Sequence, residues 1–348
     1  MRPTWLEIDL DRLGQNYRYL RSRLPGRTQM MAVIKADAYG HGAIAVARSL
    51  LGLGCERFAI ATASEGAALR AAGIEVPIHL LGNLHPDEAA EVLAAGLIPT
   101  LASLEPARAY AALGGKIAHL KIDTGMHRVG VSPSDFPSFL ADVEALGIEV
   151  EGIMTHFASA EEDWEFTKLQ LERFLAAASP YREGRLLHAA NSAALLNLPE
   201  SHLDLVRPGI ALYGLYRDPG LRPILSWRAR ATQFRYLPAG ERVGYGGTYQ
   251  SSGEWFATLP LGYADGFPRG LSGRGWVRLG GQLLPVRGRV SMDQTNVSIP
   301  GPLSPEAIFT VAGADYSPAS LSGMAEILDT IPYETAARLS PRIPRVYK

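Results

Sequence analysis

The strongest constraint on the fold is a repeated alternation of short apolar segments with helical segments between residues 30 and 210. The intervening segments, such as 64–73, 85–96 and 135–147, have helical spacing, and most of them stop at a glycine. Eight strand-helix units are the number that closes a parallel barrel, so we predict an N-terminal (β/α)8 TIM-type barrel rather than an open sheet. The eight predicted strands are 30–35, 58–62, 77–82, 99–103, 118–123, 150–157, 186–191 and 203–209.

The pattern changes after about residue 222. Apolar and polar residues then alternate between glycine and proline residues, which is typical of antiparallel strands. We therefore predict two domains, a barrel over residues 1–222 and a mainly antiparallel β domain over 223–348, interrupted by one short helix around 320–329.

Composition excludes several classes of partner. The formal net charge of the 348 residues is −1 and no long basic run is present, which argues against a nucleic-acid or anionic-membrane surface and favours a small-molecule partner. Charges at Arg2, Glu7 and Asp9 interrupt any secretion signal, and no apolar stretch of membrane-spanning length exists. The single cysteine, Cys55, rules out an intramolecular disulfide and suggests the cytoplasm; we expect it to pack rather than to act as a nucleophile.

Polar residues follow the carboxyl ends of the predicted barrel strands, where (β/α)8 enzymes place their active sites. Alternation along 118–123 puts His119, Lys121 and Asp123 on one face. Any one charge could simply be solvated at a barrel end, but five ionisable residues on one rim favour a functional site. The rim residues are Lys35, Lys121, Asp123, His156, Asn191, Ser192, Arg207 and Gly209.

The ends of the last two barrel strands are a common phosphate site in this fold. Ser192 opens a short helix, and Gly209 and Ile210 offer backbone N–H groups where glycine permits close approach. A phosphate site with Lys35 in the same mouth predicts a phosphorylated cofactor that forms an imine with lysine. Pyridoxal 5′-phosphate is the candidate.

At this point the motifs become recognisable. The stretch AVIKADAYGHG, residues 32–42, closely resembles the cofactor-lysine signature of bacterial alanine racemases. Further stretches resemble the same family, in family order and across nearly the whole chain. They are 119–130, 188–194, 206–214, 243–250 with 259–269, and 288–294. The resemblance implies a pyridoxal-phosphate barrel followed by a β domain.

The resemblance also assigns the cofactor site. Lys35 would form the imine, and Arg207 would face the pyridine nitrogen and leave it unprotonated, giving a short-lived carbanion that suits racemisation. The phosphate would be held by Tyr39, Ser192, Gly209, Ile210 and Tyr333, and His156 and Arg128 would complete the cofactor site.

Racemisation needs a base on each face of the substrate carbon. The resemblance assigns these roles to Lys35 and to Tyr245, which belongs to the β domain. In the family the two meet across a head-to-tail homodimer, so the active site would be shared between two copies. Substrate contacts are then expected from Arg128, from Met292 through its backbone N–H, and from Asp293 and Tyr263, with Arg269 nearby.

Lys121 and Arg128 match a family pair in which the lysine is often carbamylated. A carbamate would hold Arg128 against the cofactor's phenolic oxygen, whereas two unmodified cations would repel. An unmodified Lys121 paired with Asp123 or water is the open alternative. His127 stands where many relatives have glycine, and the sequence leaves its effect open.

The function predicted from the resemblance is interconversion of L-alanine and D-alanine by two bases, supplying D-alanine for peptidoglycan. Three alternatives remain at this point: a broader-specificity amino-acid racemase, a non-enzymatic pyridoxal-phosphate homeostasis protein, and a decarboxylase. The homeostasis proteins lack a β domain. The decarboxylases favour an acidic residue at the pyridine nitrogen, where this chain has Arg207.

Overall fold

The computed structural model describes residues 2–348, and they group into two compact units. We call one the barrel unit, Gly14–Ala38 with Ala43–Leu212. We call the other the β unit; it contains the residues up to Leu13, Tyr39–Gly42 and Tyr213–Lys348. Two segments from the N-terminal part of the chain thus belong to the β unit. The predicted domain boundary at residue 222 divides the chain by sequence position only, and it stays a prediction.

Strands and helices alternate up to residue 206, and strands predominate afterwards. The strands are β1 Thr4–Ile8, β2 Gln29–Val33, β3 Arg57–Ile60, β4 Ile78–Asn83, β5 Ile98–Leu101, β6 Ile117–Lys121, β7 Glu149–Met154, β8 Leu186–His188, β9 Leu205–Val206, β10 Leu225–Arg230, β11 Gln233–Leu237, β12 Arg242–Val243, β13 Tyr249–Gln250, β14 Glu254–Leu259, β15 Trp276–Leu279, β16 Gln282–Pro285, β17 Thr295–Ile299, β18 Ile308–Ala312 and β19 Arg345–Tyr347. The right-handed helices are α1 Leu10–Ser22, α2 Ala43–Leu51, α3 Ala63–Ala71, α4 Ala89–Ala94, α5 Leu104–Ala112, α6 Phe136–Ala145, α7 Trp164–Ala178, α8 Ser192–Asn197, α9 Leu321–Leu328 and α10 Pro332–Ala337.

The barrel unit is built on one eight-stranded parallel sheet, β2 to β9. Strand β9 pairs with β2, and between β8 and β9 the Asp204 N–H donates to the Leu187 carbonyl at 3.1 Å. The Arg207 N–H donates likewise to the Ala190 carbonyl at 2.9 Å, so hydrogen bonds close the ring. All eight predicted strands and the predicted barrel are confirmed.

Seven of the eight observed strands end earlier than predicted at the mouth of the barrel, and β4 ends one residue later than predicted. Strand β2 ends two residues before Lys35, β7 ends two residues before His156, and Asn191 caps helix α8 instead of ending a strand. The apolar pattern continues into these loops because their residues are also buried, so periodicity alone extends the strands too far.

Local capping explains where the barrel helices begin and end. Thr62 and Glu65 form a capping box at α3, which Gly73 follows in the left-handed conformation with a φ of 82°. Gly147 follows α6 in the same way, with a φ of 77°. In the β unit Ser320 caps α9, close to the predicted helix, but α10 was not predicted because six residues are too few for periodicity to register.

The β unit contains a six-stranded sheet in the order β16-β15-β18-β10-β1-β19 and sheets of three and two strands. All pairs are antiparallel except β1 with β19, which confirms a mainly antiparallel β domain. Strand β1 pairs with β10, and the buried Trp227 donates its indole N–H to the Thr4 hydroxyl at 2.7 Å. The N-terminal strand therefore belongs to this sheet.

Cys55 lies at the end of a helix-turn segment in the barrel unit and is buried. Burial raises the pKa of its thiol to about 12, so the nucleophilic thiolate is disfavoured. The predicted packing role is confirmed.

The segment that follows Lys35 turns with the wrong hand for L-residues. Ala36, Asp37, Ala38 and Tyr39 all have φ values of 53° or 54°, in the left-handed region. Each such non-glycine residue costs roughly 1–2 kcal/mol, so the turn persists only because its surroundings hold it. A strained turn of this kind is typical of a functional site.

Two carboxylates hold the strained turn. Glu65 accepts hydrogen bonds from the backbone N–H groups of Ala36 at 2.6 Å and of Ala61 at 2.8 Å. Asp37 accepts from the Ala43 N–H at 2.8 Å, at the start of α2. The turn is therefore anchored to two helix N-termini, and Lys35 is presented from a fixed backbone.

We expect Glu65→Gln to lower the free energy of unfolding by about 1–3 kcal/mol, because an amide keeps one acceptor oxygen and points its NH2 at a backbone donor. Urea denaturation measures this change. Glu105→Gln, an exposed substitution in the first turn of α5, should change it by less than about 0.5 kcal/mol. Equal effects of the two substitutions would show that Glu65 does not anchor the turn.

Candidate active site

The mouth of the barrel unit concentrates positive charge. Lys121 and Arg207 are buried there, Lys35 is half-buried and Arg128 is exposed. Burial lowers the pKa of Lys35, and the charge of Arg128 lowers it further, with Glu65 opposing. The sequence-predicted lysine is thus in an environment that favours its neutral, nucleophilic form.

Lys121 shares this environment. Burial and the charges of Arg207 and Arg128 lower its pKa to about 8, and Asp123 only partly opposes them. The same causes hold the pKa of His156 well below its ordinary value, so that ring is neutral at pH 7. Because these side chains perturb one another, the structure brings together the predicted ionisable residues of the rim.

Arg207 is held rigidly by acceptors on three sides. Its Nη2 donates to the Thr155 carbonyl at 2.6 Å and to the Ala189 carbonyl at 2.9 Å, and its Nη1 donates to His188 Nδ1 at 2.7 Å. Burial lowers the pKa of this guanidinium to about 9. Its orientation is therefore set by the barrel backbone and by one histidine.

Ser192 and Gly209 also meet, as predicted. The Ser192 hydroxyl oxygen accepts from the backbone N–H groups of Gly209 at 2.9 Å and Ala211 at 3.2 Å. Asn191 caps the same helix by accepting from the Ala194 N–H at 3.0 Å. The buried hydroxyl oxygen thus accepts two backbone hydrogen bonds, which leaves the hydroxyl hydrogen to donate to an acceptor such as a phosphate oxygen.

The two predicted phosphate tyrosines lie together in the β unit. The rings of Tyr39 and Tyr333 are 6.1 Å apart, and the Tyr39 ring is 5.0 Å from that of Tyr213. Burial raises the pKa of Tyr39, so its hydroxyl stays protonated and able to donate. Tyr333 is carried by α10, the helix that the sequence did not predict.

Three further predicted residues line one open cavity of the β unit. The cavity has a volume of about 1020 Å³ and includes Tyr245, Met292 and Asp293. Tyr245 is 71% exposed and Met292 is 52% exposed, which is unusual for large apolar side chains. The structure therefore gathers these distant segments at one surface.

Tyr263 lies beside this cavity rather than in it. It lines a neighbouring cavity of about 650 Å³ with Arg269 and Arg338. The two cavity walls are joined because the Tyr263 N–H donates to the Ser291 carbonyl at 3.1 Å. A Cβ at Gly262 would lie 2.1 Å from that carbonyl oxygen, so only glycine allows this approach.

The ion pairs that support the first cavity were not predicted from the sequence. Arg342 donates to Asp293 at 2.6 Å, and the fully buried Asp265 accepts from Arg2 at 2.8 Å and from the Gly262 N–H at 3.0 Å. Arg2 and Asp265 are 263 positions apart, so no local pattern could have paired them.

A second missed cluster lies inside the barrel. Ligand atoms of His79, His119 and Glu151 all lie within 4.8 Å of one another, a spacing that a metal ion could use. Arg57, however, donates to Glu151 at 2.7 Å and approaches His79 Nε2 at 3.1 Å, so a guanidinium already supplies the positive charge. We infer that these three side chains form a hydrogen-bonded cluster and do not bind a metal ion.

Two family descriptions match nearly the whole chain. "Alanine racemase, N-terminal domain" matches residues 8–217, and "Alanine racemase, C-terminal domain" matches residues 224–347. The chain belongs to the alanine racemase family. A curated alanine racemase of Carboxydothermus hydrogenoformans is 41% identical over 372 aligned positions, covering both chains fully.

Solved alanine racemases share the fold along the full length of the chain. That of Clostridium difficile 630 has a TM-score of 0.93 at 33% identity, covering 100% of this chain and 96% of its own. That of Bartonella henselae, described with covalently bound pyridoxal phosphate, has a TM-score of 0.90 at 30% identity and covers both chains fully. The family interconverts L- and D-alanine and is in general pyridoxal-phosphate dependent.

Among residues 2–348, no helix has both the length and the hydropathy needed to cross a membrane.

His127 adopts a backbone conformation that is uncommon for a residue with a side chain. Its φ is 53°, in the region that glycine adopts most easily. Asp123 accepts from the His127 N–H at 3.0 Å and from the Gly125 N–H at 3.0 Å. The Asp123 carboxylate therefore holds a loop that would otherwise favour glycine.

The lowered pKa of Lys121 predicts a pH-dependent cost in stability. In buffer free of carbon dioxide the unfolded chain holds this proton up to about pH 10.5 and the folded chain only to about pH 8. Between these values the unfolded chain binds more protons, so the free energy of unfolding rises with pH by about 1.4 kcal/mol per unit.

Lys121→Met should therefore be more stable than the native chain at pH 7, and this advantage should shrink as pH rises from 8 to 10. Urea denaturation at several pH values measures the difference, and Lys116→Met, an exposed site just before the same strand, serves as the control. A variant that is less stable at pH 7 in this buffer would contradict an unmodified cation at Lys121.

Proposed function

We propose that this chain interconverts L-alanine and D-alanine with pyridoxal 5′-phosphate bound at the barrel mouth, and that it supplies D-alanine for peptidoglycan in the cytoplasm. The observation that carries the proposal is the meeting, at one barrel mouth, of a lysine with a lowered pKa, an oriented arginine and a hydroxyl with backbone N–H donors. Family membership supplies the reaction class.

The chemistry of these groups fits the cofactor. The Lys35 amine suits its aldehyde, Ser192 with the Gly209 and Ile210 backbone suits its phosphate, and Arg207 suits its ring nitrogen. When bound, the cofactor withdraws electrons from the substrate Cα and makes its proton removable. Tyr39 and Tyr333 are proposed as further phosphate donors, and His156 as a neutral ring beside the cofactor.

Arg207 would limit how strongly a bound cofactor acidifies this proton. A guanidinium only donates hydrogen bonds, so a ring nitrogen facing it would have to accept and would stay unprotonated. The proton at Cα would then be removed less readily and returned quickly. This behaviour suits inversion of one centre better than reactions that need a long-lived carbanion.

Two proton carriers are needed because inversion removes the proton on one face and returns it on the other. We assign Lys35 to one face; burial and Arg128 increase its neutral fraction, so it can accept a proton at Nζ. Tyr245 is assigned to the opposite face through its hydroxyl. Arg128, the Met292 backbone N–H, Asp293 and Tyr263 are proposed to bind the substrate.

We further propose that Tyr245 acts in the site of a second copy, in a homodimer with shared sites. Its 71% exposure and the 52% exposure of Met292 beside it support this, because a second copy would cover both. Their shared cavity is open, as expected for half of an assembled site.

The reaction is tested by incubating the protein with L-alanine in deuterated water and following α-deuteration together with D-alanine. The native chain should exchange and invert, and Lys35→Ala should do neither. Tyr245→Phe should lose at least about 100-fold in inversion, the usual worth of a positioned acid-base group, and the exposed control Tyr236→Phe should not. Inversion by Lys35→Ala would end the proposal, and preference for larger amino acids would favour a broad-specificity racemase.

Lys121 is proposed to be carbamylated. The Lys121 ammonium first loses one proton to solvent. Its neutral Nζ then attacks the carbon of carbon dioxide, an N–C bond forms as one C–O π bond breaks, and a second proton leaves to solvent, so the cation becomes an anion. A pKa of about 8 provides the neutral amine near physiological pH. The anion would attract Arg128 and Arg207 instead of repelling them.

With ¹³C-labelled bicarbonate, we expect a carbamate carbon signal from the native chain and from Lys116→Met but not from Lys121→Met. The native chain should also unfold at higher urea concentration in bicarbonate, since a repulsive cation has become an attractive anion. A native spectrum without this signal would leave Lys121 as a free amine.

A further inference from the structure

A continuous chain of hydrogen bonds crosses the barrel interior from Arg207. Arg207 Nη1 is 2.7 Å from His188 Nδ1, and His188 Nε2 is 2.8 Å from His119 Nδ1. His119 Nε2 is in turn 3.0 Å from Glu151, which Arg57 also contacts at 2.7 and 3.0 Å. Both histidines are at most 1% exposed, so water does not compete for these bonds.

The direction of every bond in this chain is forced. The Arg207 guanidinium can only donate, so His188 Nδ1 must accept. Burial and the charge of Arg207 hold the pKa of His188 well below its ordinary value, so the ring is neutral and carries its one proton on Nε2. That proton is donated to His119 Nδ1. The single proton of a neutral His119 then lies on Nε2 and is donated to Glu151.

The alternative arrangements fail. A doubly protonated His119 would donate from Nδ1 to His188 Nε2. His188 would then carry its proton on Nδ1, directly facing an N–H of Arg207, with no acceptor between them. Burial also lowers the pKa of His119, although Glu151 opposes this effect. Only one proton arrangement satisfies all three residues.

The hydrogen-bond chain ends at a charged side chain. Burial alone would raise the pKa of Glu151, but hydrogen bonds from His119 and Arg57 lower it to about 2, so the carboxylate is ionised. Its side chain is 25% exposed, whereas Arg207 is buried, and the acceptors given above for Arg207 are a histidine and carbonyls. Glu151 is thus the anion to which Arg207 is connected, through two polarised imidazoles.

The neighbouring backbone leaves space for the side chains of this hydrogen-bond chain. Gly152 lies opposite His119 in the register of β6 with β7. A Cβ at Gly152 would lie 2.6–2.8 Å from atoms of the His119 ring, so a larger residue would displace the ring. At the far end Arg57 is fixed by Gln29, whose side-chain oxygen accepts from its Nε at 2.9 Å.

We propose that Glu151 and His119 are positioning residues for the proposed racemisation, acting through His188 to hold the Arg207 guanidinium in the charge state and orientation that meets the cofactor ring. The proposal rests on the proposed function for the role of Arg207. The order of protons along the hydrogen-bond chain is independent of that function, because it follows from the buried hydrogen bonds and the neighbouring charges.

The order of protons is tested on the native holoprotein by ¹⁵N NMR of labelled histidines. Of the eight histidines, His188 and His119 should both show a proton on Nε2 and none on Nδ1, unchanged from pH 6 to pH 8. Single replacements His188→Asn and His119→Asn assign the signals. A proton on Nδ1 of His188, or a doubly protonated His119, would overturn the proposal.

The positioning role is tested with Glu151→Gln, which keeps the shape and one acceptor oxygen but removes the charge. Glu149→Gln, exposed two residues earlier on β7, is the matched control. Glu151→Gln should shift the Nε2 proton signal of the distant His188 and lower kcat about tenfold, roughly the difference between a charge-assisted and a neutral hydrogen bond. KM for alanine should stay within about twofold, because Arg207 is not among the residues proposed to bind the substrate.

Gly152→Ala perturbs the same hydrogen-bond chain sterically, since it displaces the His119 ring without changing any charge. It should reproduce the shift at His188 and the fall in kcat. An unchanged His188 signal or an unchanged kcat in Glu151→Gln would overturn the positioning role. A native chain with the expected proton order but no racemisation would refute the proposed function, and with it the role of Glu151 in that reaction.

Discussion

The structure depends on an electrostatic constraint at the barrel mouth, where several cations share one partly buried space. Lys35, Lys121 and Arg207 all have lowered pKa values, with burial as the main cause and, for the two lysines, repulsion from neighbouring cations as well. Such a cluster is costly without anions, and it favours the neutral amine that imine chemistry and carbamylation require. A phosphorylated cofactor would remove much of this repulsion on binding.

The fold holds this cluster by strain and by rigid hydrogen bonding. Lys35 begins a left-handed turn that Glu65 and Asp37 anchor to helix N-termini, so its amine is presented from a backbone that cannot relax easily. Arg207 donates hydrogen bonds to two backbone carbonyls and to His188, which is connected to Glu151 through His119. The Arg207 guanidinium is thus held from the barrel interior.

Much of this could be predicted from the sequence. Eight apolar segments separated by capped helices specify a barrel, because each capping residue and each buried strand is a local feature. Lys35, Ser192 and Arg207 follow strand ends, so topology brings them to one rim. Their family motifs then supplied roles that spacing alone could not distinguish from solvated charges.

The rest could not be predicted because it depends on distances between remote segments. Glu151 and Arg57 are 94 positions apart, and their contact depends on strand register and on the space that Gly152 leaves for His119. The sequence by itself determined the order of elements, the chemistry at each strand end and the family. Only the tertiary structure decided the hand of the turn after Lys35, the lowered pKa values and the direction of the buried hydrogen bonds, since each arises from desolvation and contacts that no local pattern encodes.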